Sequence, residues 1–182
     1  DGSVLIFAQT TTYVDALYNI LGEIYSGDVT CCHSRIKPER RKKQLLFDFL
    51  QGKRKIMIAT SAFSMGIDVP DIELVVHFNA PINMTDYIQQ IGRAGRDGRK
   101  AHCVLFYDQN GDDNAVSNSF IKKAKKQSAK AAKTIKSNLN QVHNFIHSDN
   151  CMVCDILKYQ GQHEVKTCKR CTVCAQKRRN SR

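Results

Sequence analysis

Lys55-Ile56-Met57-Ile58-Ala59-Thr60-Ser61-Ala62-Phe63-Ser64-Met65-Gly66-Ile67-Asp68 is the stretch that decides how the first hundred residues fold. It opens on a short apolar run, too brief for a helix and built of residues that fit a pleated surface. It then changes abruptly to hydroxyls, small residues and glycine. A parallel sheet meets its ligands at such a place, on a loop leaving the carboxyl end of a strand. Similar runs recur on either side at Val4–Phe7, Val29–His33, Glu73–His77 and His102–Tyr107. Together with Lys55–Ala59 they predict strands separated by helix-length segments. In the first such segment Val14, Leu17, Leu21 and Ile24 recur at helical intervals before Gly27-Asp28 turns the chain. The next is predicted to begin at Pro38, which suits a first helical turn, and to bury Leu46, Phe49 and Leu50 before Gly52. Strand and helix in alternation predict an α/β fold, a parallel sheet flanked by helices.

Beyond Gln109-Asn110-Gly111-Asp112 the composition turns to Lys, Ala, Ser, Asn and Gln. Val116, Phe120, Ala124, Ala131, Ile135, Leu139, Val142 and Ile146 form a narrow helical stripe, predicting two helices broken near Gln127-Ser128. The last thirty residues carry too few apolar side chains for a core of their own. The predicted organisation is an α/β unit over residues 1–110, a lysine-rich helical connector over 111–148, a small metal-binding unit over 149–176 and a basic tail over 177–182.

The 182 residues carry 28 Lys and Arg against 17 Asp and Glu, a net charge of +11 that favours polyanions as partners, nucleic acid first among them. A solvated basic face would give the same total, so position matters more. Seven lysines fall between Lys122 and Lys136, and Lys177, Arg178, Arg179 and Arg182 close the chain. No apolar run approaches the roughly 18 residues of a membrane span, so no membrane partner is expected. The opening Asp1-Gly2-Ser3, with neither an initiator Met nor a signal segment, reads as an internal cut in a longer protein.

Of eight cysteines, Cys31, Cys32 and Cys103 lie in apolar stretches and five crowd into positions 151–174. Crowding of that kind favours metal in a reducing compartment over a disulfide framework. Thiolates are soft ligands that select tetrahedral zinc, and the turn inside C-x2-C brings two sulfurs to one ion. Five thiols compete for four positions. Spacing alone permits Cys151, Cys154, Cys168 and Cys171, or Cys151 with Cys168, Cys171 and Cys174.

The most specific stretch is Tyr87-Ile88-Gln89-Gln90-Ile91-Gly92-Arg93-Ala94-Gly95-Arg96-Asp97-Gly98. Arginines three apart are predicted to share one helical turn and point the same way, while Gly92 and Gly95 leave room for a close neighbour. A guanidinium keeps its charge and offers a planar fork of donors, so such a pair suits a transferring phosphoryl group. A pair tied to surface carboxylates would have the same spacing.

Gln89-x-x-Gly92-Arg93-Ala94-Gly95-Arg96-Asp97-Gly98 resembles motif VI of superfamily 2 helicases in the form common to the RecQ family. Thr60 to Asp68 is similar to motif V, and Leu5-Ile6-Phe7-Ala8-Gln9-Thr10 to motif IV. The cysteines agree: a lone Cys, a sixteen-residue gap, then C-x2-C-x2-C resembles the RecQ zinc segment, with Leu157-x-Tyr159-x-Gly161 inside the gap. Cys32-His33-Ser34-Arg35 departs from that family, which usually has Tyr where Cys32 stands and often Gly where Arg35 stands. His33 reads better as a packed histidine than as a contact.

The resemblance implies a RecA-like lobe followed by a helical segment and a small zinc-binding subdomain. It implies that Arg93 and Arg96 meet the γ-phosphate, one of them as arginine finger, and that Gln89 positions water or couples the site. Gly66 and Asp68 would reach the nucleotide, Asp68 at the ribose, while Thr60, Ser61, Gln9 and Thr10 would touch nucleic acid. The implied zinc ligands are Cys151, Cys168, Cys171 and Cys174, with His163 an outside candidate; the zinc is structural. ATP with Mg²⁺ would be shared with an N-terminal RecA-like lobe of the same protein, because these residues contain no G-x-x-x-x-G-K-[ST] loop and no acidic Mg²⁺ motif. Alone they are not expected to hydrolyse ATP. The implied activity is 3′–5′ unwinding of DNA at a single-strand/duplex junction, in the nucleus of a eukaryote or otherwise the cytoplasm. The competing expectation is a non-catalytic, zinc-containing DNA-binding module derived from a helicase.

Overall fold

The computed structural model describes residues 2–61, 72–108, 110–162 and 166–181. Strand β1 (Ser3–Phe7) leads through helix α1 (Thr11–Ile24), β2 (Val29–Cys32), α2 (Glu39–Leu50) and β3 (Ile56–Ala59) to β4 (Ile72–His77). Then come α3 (Met84–Ile91), β5 (His102–Leu105), α4 (Asp112–Gln127), α5 (Ala129–Ile146), α6 (Met152–Tyr159) and α7 (Thr172–Asn180). The strands form one sheet in the order β2-β3-β1-β4-β5, every pair parallel. This is the RecA-like α/β arrangement expected of the sequence.

The period-2 geometry of strands divides the apolar runs between two layers. Leu5, Phe7, Met57 and Ala59 join Cys32, Phe49, Ile72 and Val75 on one face, where α2 adds Leu46 and Leu50. Ile6, Ala8, Cys31 and Ile58 join Val14 and Val29 on the other, where α1 adds Leu17 and Leu21. Ile24, the last member of the predicted stripe, is exposed, because the packed partners on α1 stop at Leu21. Strand β2 ends one residue earlier than predicted, where His33 turns its ring to Asp15. Strand β5 ends at Leu105 and lies at the sheet edge, so Cys103 is exposed although its neighbours are apolar.

A third core joins the C-terminal half to the sheet. Met84 and Tyr87 of α3 meet Val142 and Phe145 of α5, and Met152 and Ile156 of α6 pack against them. The cysteine-bearing tail therefore has no separate core but borrows one. Helices α4 and α5 break at Ser128, whose side chain caps α5 by accepting from the Ala131 N–H at 3.0 Å. Among the described residues no helix is long and apolar enough to cross a membrane.

Two candidate faces and a thiol cluster

Parallel pairing puts Gln9-Thr10 and Thr60-Ser61 at the same edge. Phe7 is registered with Ala59, and the Ala8 N–H donates to the Ala59 carbonyl at 3.0 Å, so both loops leave neighbouring strands at their carboxyl ends. Thr10 Oγ1 accepts from the Tyr13 N–H at 3.2 Å and caps α1, which fixes the hydroxyl and leaves its proton to donate. Thr60 donates its N–H to the Cys32 carbonyl at 3.4 Å. Gly66, Asp68 and His163 lie outside the described residues.

His33, at the same edge, is a packed histidine. Its Nδ1 accepts the Arg35 N–H at 3.2 Å, so Nε2 carries the proton and donates to Asp15 at 2.9 Å. Arg35 closes on the other carboxylate oxygen at 2.9 Å.

The arginines lie at the opposite end of the sheet. Helix α3 stops at Ile91, and residues 92–97 continue as turns, so Arg93 and Arg96 do not share a helical turn as predicted. Helix α3 is capped at Gly92, and beyond it Gly95 takes a φ of +65°, in the left-handed region, which keeps the chain from resuming the helix. Its N–H donates to the carbonyl of Ile72, the first residue of β4, at 3.0 Å. A Cβ there would meet the Arg99 carbonyl at 2.8 Å, so Gly95 does serve close approach; among the described residues Gly92 faces the carbonyls of its own helix. Ala94 packs into the sheet core while Arg96 is exposed, Arg93 is half-buried and Gln89 is exposed. One turn thus anchors inward by an alanine and presents the Arg96 guanidinium outward. Asp97 holds the far side of the turn, accepting from Arg99 Nε at 2.6 Å and from its N–H at 3.0 Å.

A buried pair that the sequence reading passed over ties this turn to the other edge. His77, at the end of β4, shares a hydrogen bond of 2.7 Å between its Nε2 and Gln90 Oε1 on α3, and both residues are buried. Burial pushes the imidazole down to about 4, the bond to Gln90 opposing this in part, so the ring is neutral and Nε2–H is the donor. Its ring stacks on Phe7 at 5.4 Å and tilts against Tyr87 at 5.0 Å, and Tyr87 meets Phe145 of α5 at 5.4 Å. The signal was present: a histidine and a glutamine in otherwise apolar positions need each other once buried.

In the tail the fold brings together Cys151, Cys168, Cys171 and Cys174, with all four sulfurs within 4.8 Å of one another. Cys151 sits at the N-cap of α6 and Cys171 at that of α7. Sulfurs on a tetrahedral zinc stand about 3.8 Å apart, from Zn–S bonds of ~2.3 Å, and Cys171 and Cys151 are at 3.9 Å. The set fits a metal ion. Cys154 is buried outside it, its thiol directed to the Lys166 carbonyl at 3.6 Å. Burial raises the Cys151 thiol, but N–H donors from Cys168 and Cys154 outweigh this and bring it down to about 6. Cys174 is pushed up to about 12 by burial and by sharing hydrogen bonds with Cys171 and Cys151. Without a cation, the four cannot all ionise.

Comparison with known proteins agrees with this layout. The helicase conserved C-terminal domain family matches residues 1–98. The chain is 31% identical over 176 residues to the ATP-dependent DNA helicase RecQ of Bacillus subtilis, covering 96% of this chain and 28% of that protein. It is 32% identical over 172 residues to a protein of Acanthamoeba polyphaga mimivirus named as an ATP-dependent RNA helicase, covering 94% of this chain and 30% of the relative. The chain thus spans less than a third of the length of these relatives. Among solved structures it resembles S. cerevisiae Dbp5 bound to RNA and ADP BeF3, with TM-score 0.53 and 28% identity, covering 66% of this chain and 32% of that one.

Proposed function

Because this chain belongs to the helicase conserved C-terminal domain family, as the C-terminal lobe of a RecQ-type superfamily 2 helicase, we propose that it is the second motor lobe of an ATP-dependent 3′–5′ DNA helicase. In this reading a first RecA-like lobe of the same protein grips ATP and Mg²⁺, and the present lobe closes on them. The observation that carries the DNA-unwinding assignment is the four-thiol cluster docked through α6 on α3, the helix that delivers the arginines. That combination resembles RecQ helicases of DNA more than RNA helicases at large.

Arg93 and Arg96 offer fixed positive charge to the γ-phosphate as its bond to the leaving group lengthens. Gln89, on an exposed face of α3, positions water or couples the site, while Gly66 and Asp68 reach the nucleotide, Asp68 at the ribose. Mg²⁺, bound with ATP by the first lobe, would offset the charge of the phosphates. At the far edge Thr60, Ser61, Gln9 and Thr10 donate to single-strand phosphates. Cys151, Cys168, Cys171 and Cys174 hold one structural Zn²⁺, fixing the tail against the motor without taking part in chemistry. Such a protein works in a reducing compartment, the nucleus of a eukaryote or otherwise the cytoplasm. Strand displacement by the complete protein on a duplex with a 3′ single-stranded tail tests the reading. Unwinding is expected with the 3′ tail and not with a 5′ tail; unwinding of RNA duplexes alone would overturn the DNA assignment.

A further inference from the structure

The stretch from Asn114 to Ser148 holds seven lysines and no Asp or Glu. It forms most of α4 and all of α5; the only acids of the hairpin, Asp112 and Asp113, stand at the far end of α4 from the turn. Lys122, Lys123, Lys125 and Lys126 precede the Ser128 turn, and Lys130, Lys133 and Lys136 follow it; every one is exposed. At a rise of 1.5 Å per residue they all lie within about 12 Å of the turn. The apolar side chains of both helices point elsewhere: Val116, Ala124, Ala132, Val142 and Phe145 are buried.

We propose that the tip of the α4–α5 hairpin is a second nucleic-acid site, one that grips the phosphate backbone of duplex DNA outside the single-strand path of the motor. It rests on the DNA-helicase reading above. The chemistry selects the occupant. Binding of single strands uses a platform of exposed aromatic side chains on which successive bases stack; Ile121 to Ser137 contains none, and Phe120, just before it, is a single half-buried ring beside Ala131 and Ile135. Insertion at a membrane surface needs a free apolar face opposite the charges, and here Ala124 and Ala132 are buried and Phe120, Ile121, Ala131 and Ile135 half-buried. What remains is charge without stacking or insertion, directed at the densest regular array of phosphates, one charge per ~1.7 Å of B-DNA axis. With seven flexible ammonium groups and no arginine in the tip, the contact is mainly to phosphates and largely independent of sequence.

The test uses the complete protein with Lys122, Lys126, Lys130 and Lys133 replaced by Gln, all exposed so that the fold is preserved. Affinity for a blunt 25-base-pair duplex and for a single strand of equal length is measured across salt concentrations. The variant should bind duplex about tenfold or more weakly at moderate salt, and the slope of log affinity against log salt should fall by about one per lysine in contact. Single-strand affinity and single-strand-stimulated ATP turnover should stay within about twofold. An unchanged duplex affinity and slope, or an equal loss on the single strand, would overturn the hairpin site. Because ATP turnover on single strands reports the motor separately, its absence in the unsubstituted protein would instead count against the helicase reading.

Discussion

At the scale of single residues, Gly95 and the cysteines carry the sharpest consequences. Gly95→Ala forces a side chain into the left-handed region and against the Arg99 carbonyl. The cost should be about 1–3 kcal/mol, seen as a lowered midpoint in thermal melting, with weakened ATP turnover because the arginine turn is displaced. A melting curve identical to that of the unsubstituted protein would mean that the turn is not held as described. For the thiols, metal analysis should give one zinc per chain, kept in Cys154→Ser and lost in Cys168→Ser; the reverse pattern would move Cys154 into the ligand set. The cysteine spacing left that choice open, since both sets satisfy C-x2-C. Folding separates them by turning the Cys154 thiol toward the Lys166 carbonyl, an orientation that no spacing rule contains.

At the scale of elements, strands were legible because Val4–Phe7 and Lys55–Ala59 are apolar on both faces, as parallel strands covered by two helix layers must be. Their ends were less legible. Strand β2 stops where His33 finds Asp15, and the arginines fall outside the helix because α3 is capped at Gly92 and Gly95 then adopts positive φ, decided by a partner far away in sequence and by backbone freedom that glycine permits without requiring. The His77–Gln90 bridge between β4 and α3 makes its own prediction. Its folded pKa of about 4 lies below the ordinary 6.5, so the folded form binds fewer protons in between. The stabilising contribution is complete above about pH 6.5 and lost as pH falls through about 4, some 3 kcal/mol in all. Denaturant unfolding at pH 7 and pH 4.5 should show this acid loss, and His77→Gln should reduce it. Equal acid sensitivity in the variant would remove His77 as its source. Chelating the proposed Zn²⁺ should speed amide exchange in α6 and α7 while the sheet stays protected, since the tail would draw its folding energy from the ion as well as from the shared core.

At the scale of the molecule, two candidate faces lie at opposite ends of one sheet, the hydroxyl loops past the carboxyl ends of β1 and β3 and the arginine turn beside the amino end of β4. The six residues of β4 separate them by about 17 Å. A lobe that met nucleotide at one end and nucleic acid at the other, as proposed, would have the form a motor needs, and Phe7, His77, Tyr87 and Phe145 pack in series between sheet, α3 and α5. The most direct test is single-strand-stimulated ATP turnover by the complete protein carrying Arg93→Ala or Arg96→Ala. Turnover should fall about 10³-fold or more in at least one of them, with single-strand affinity retained. Normal turnover in both would contradict the assignment of this lobe as the arginine-bearing half of the ATP site.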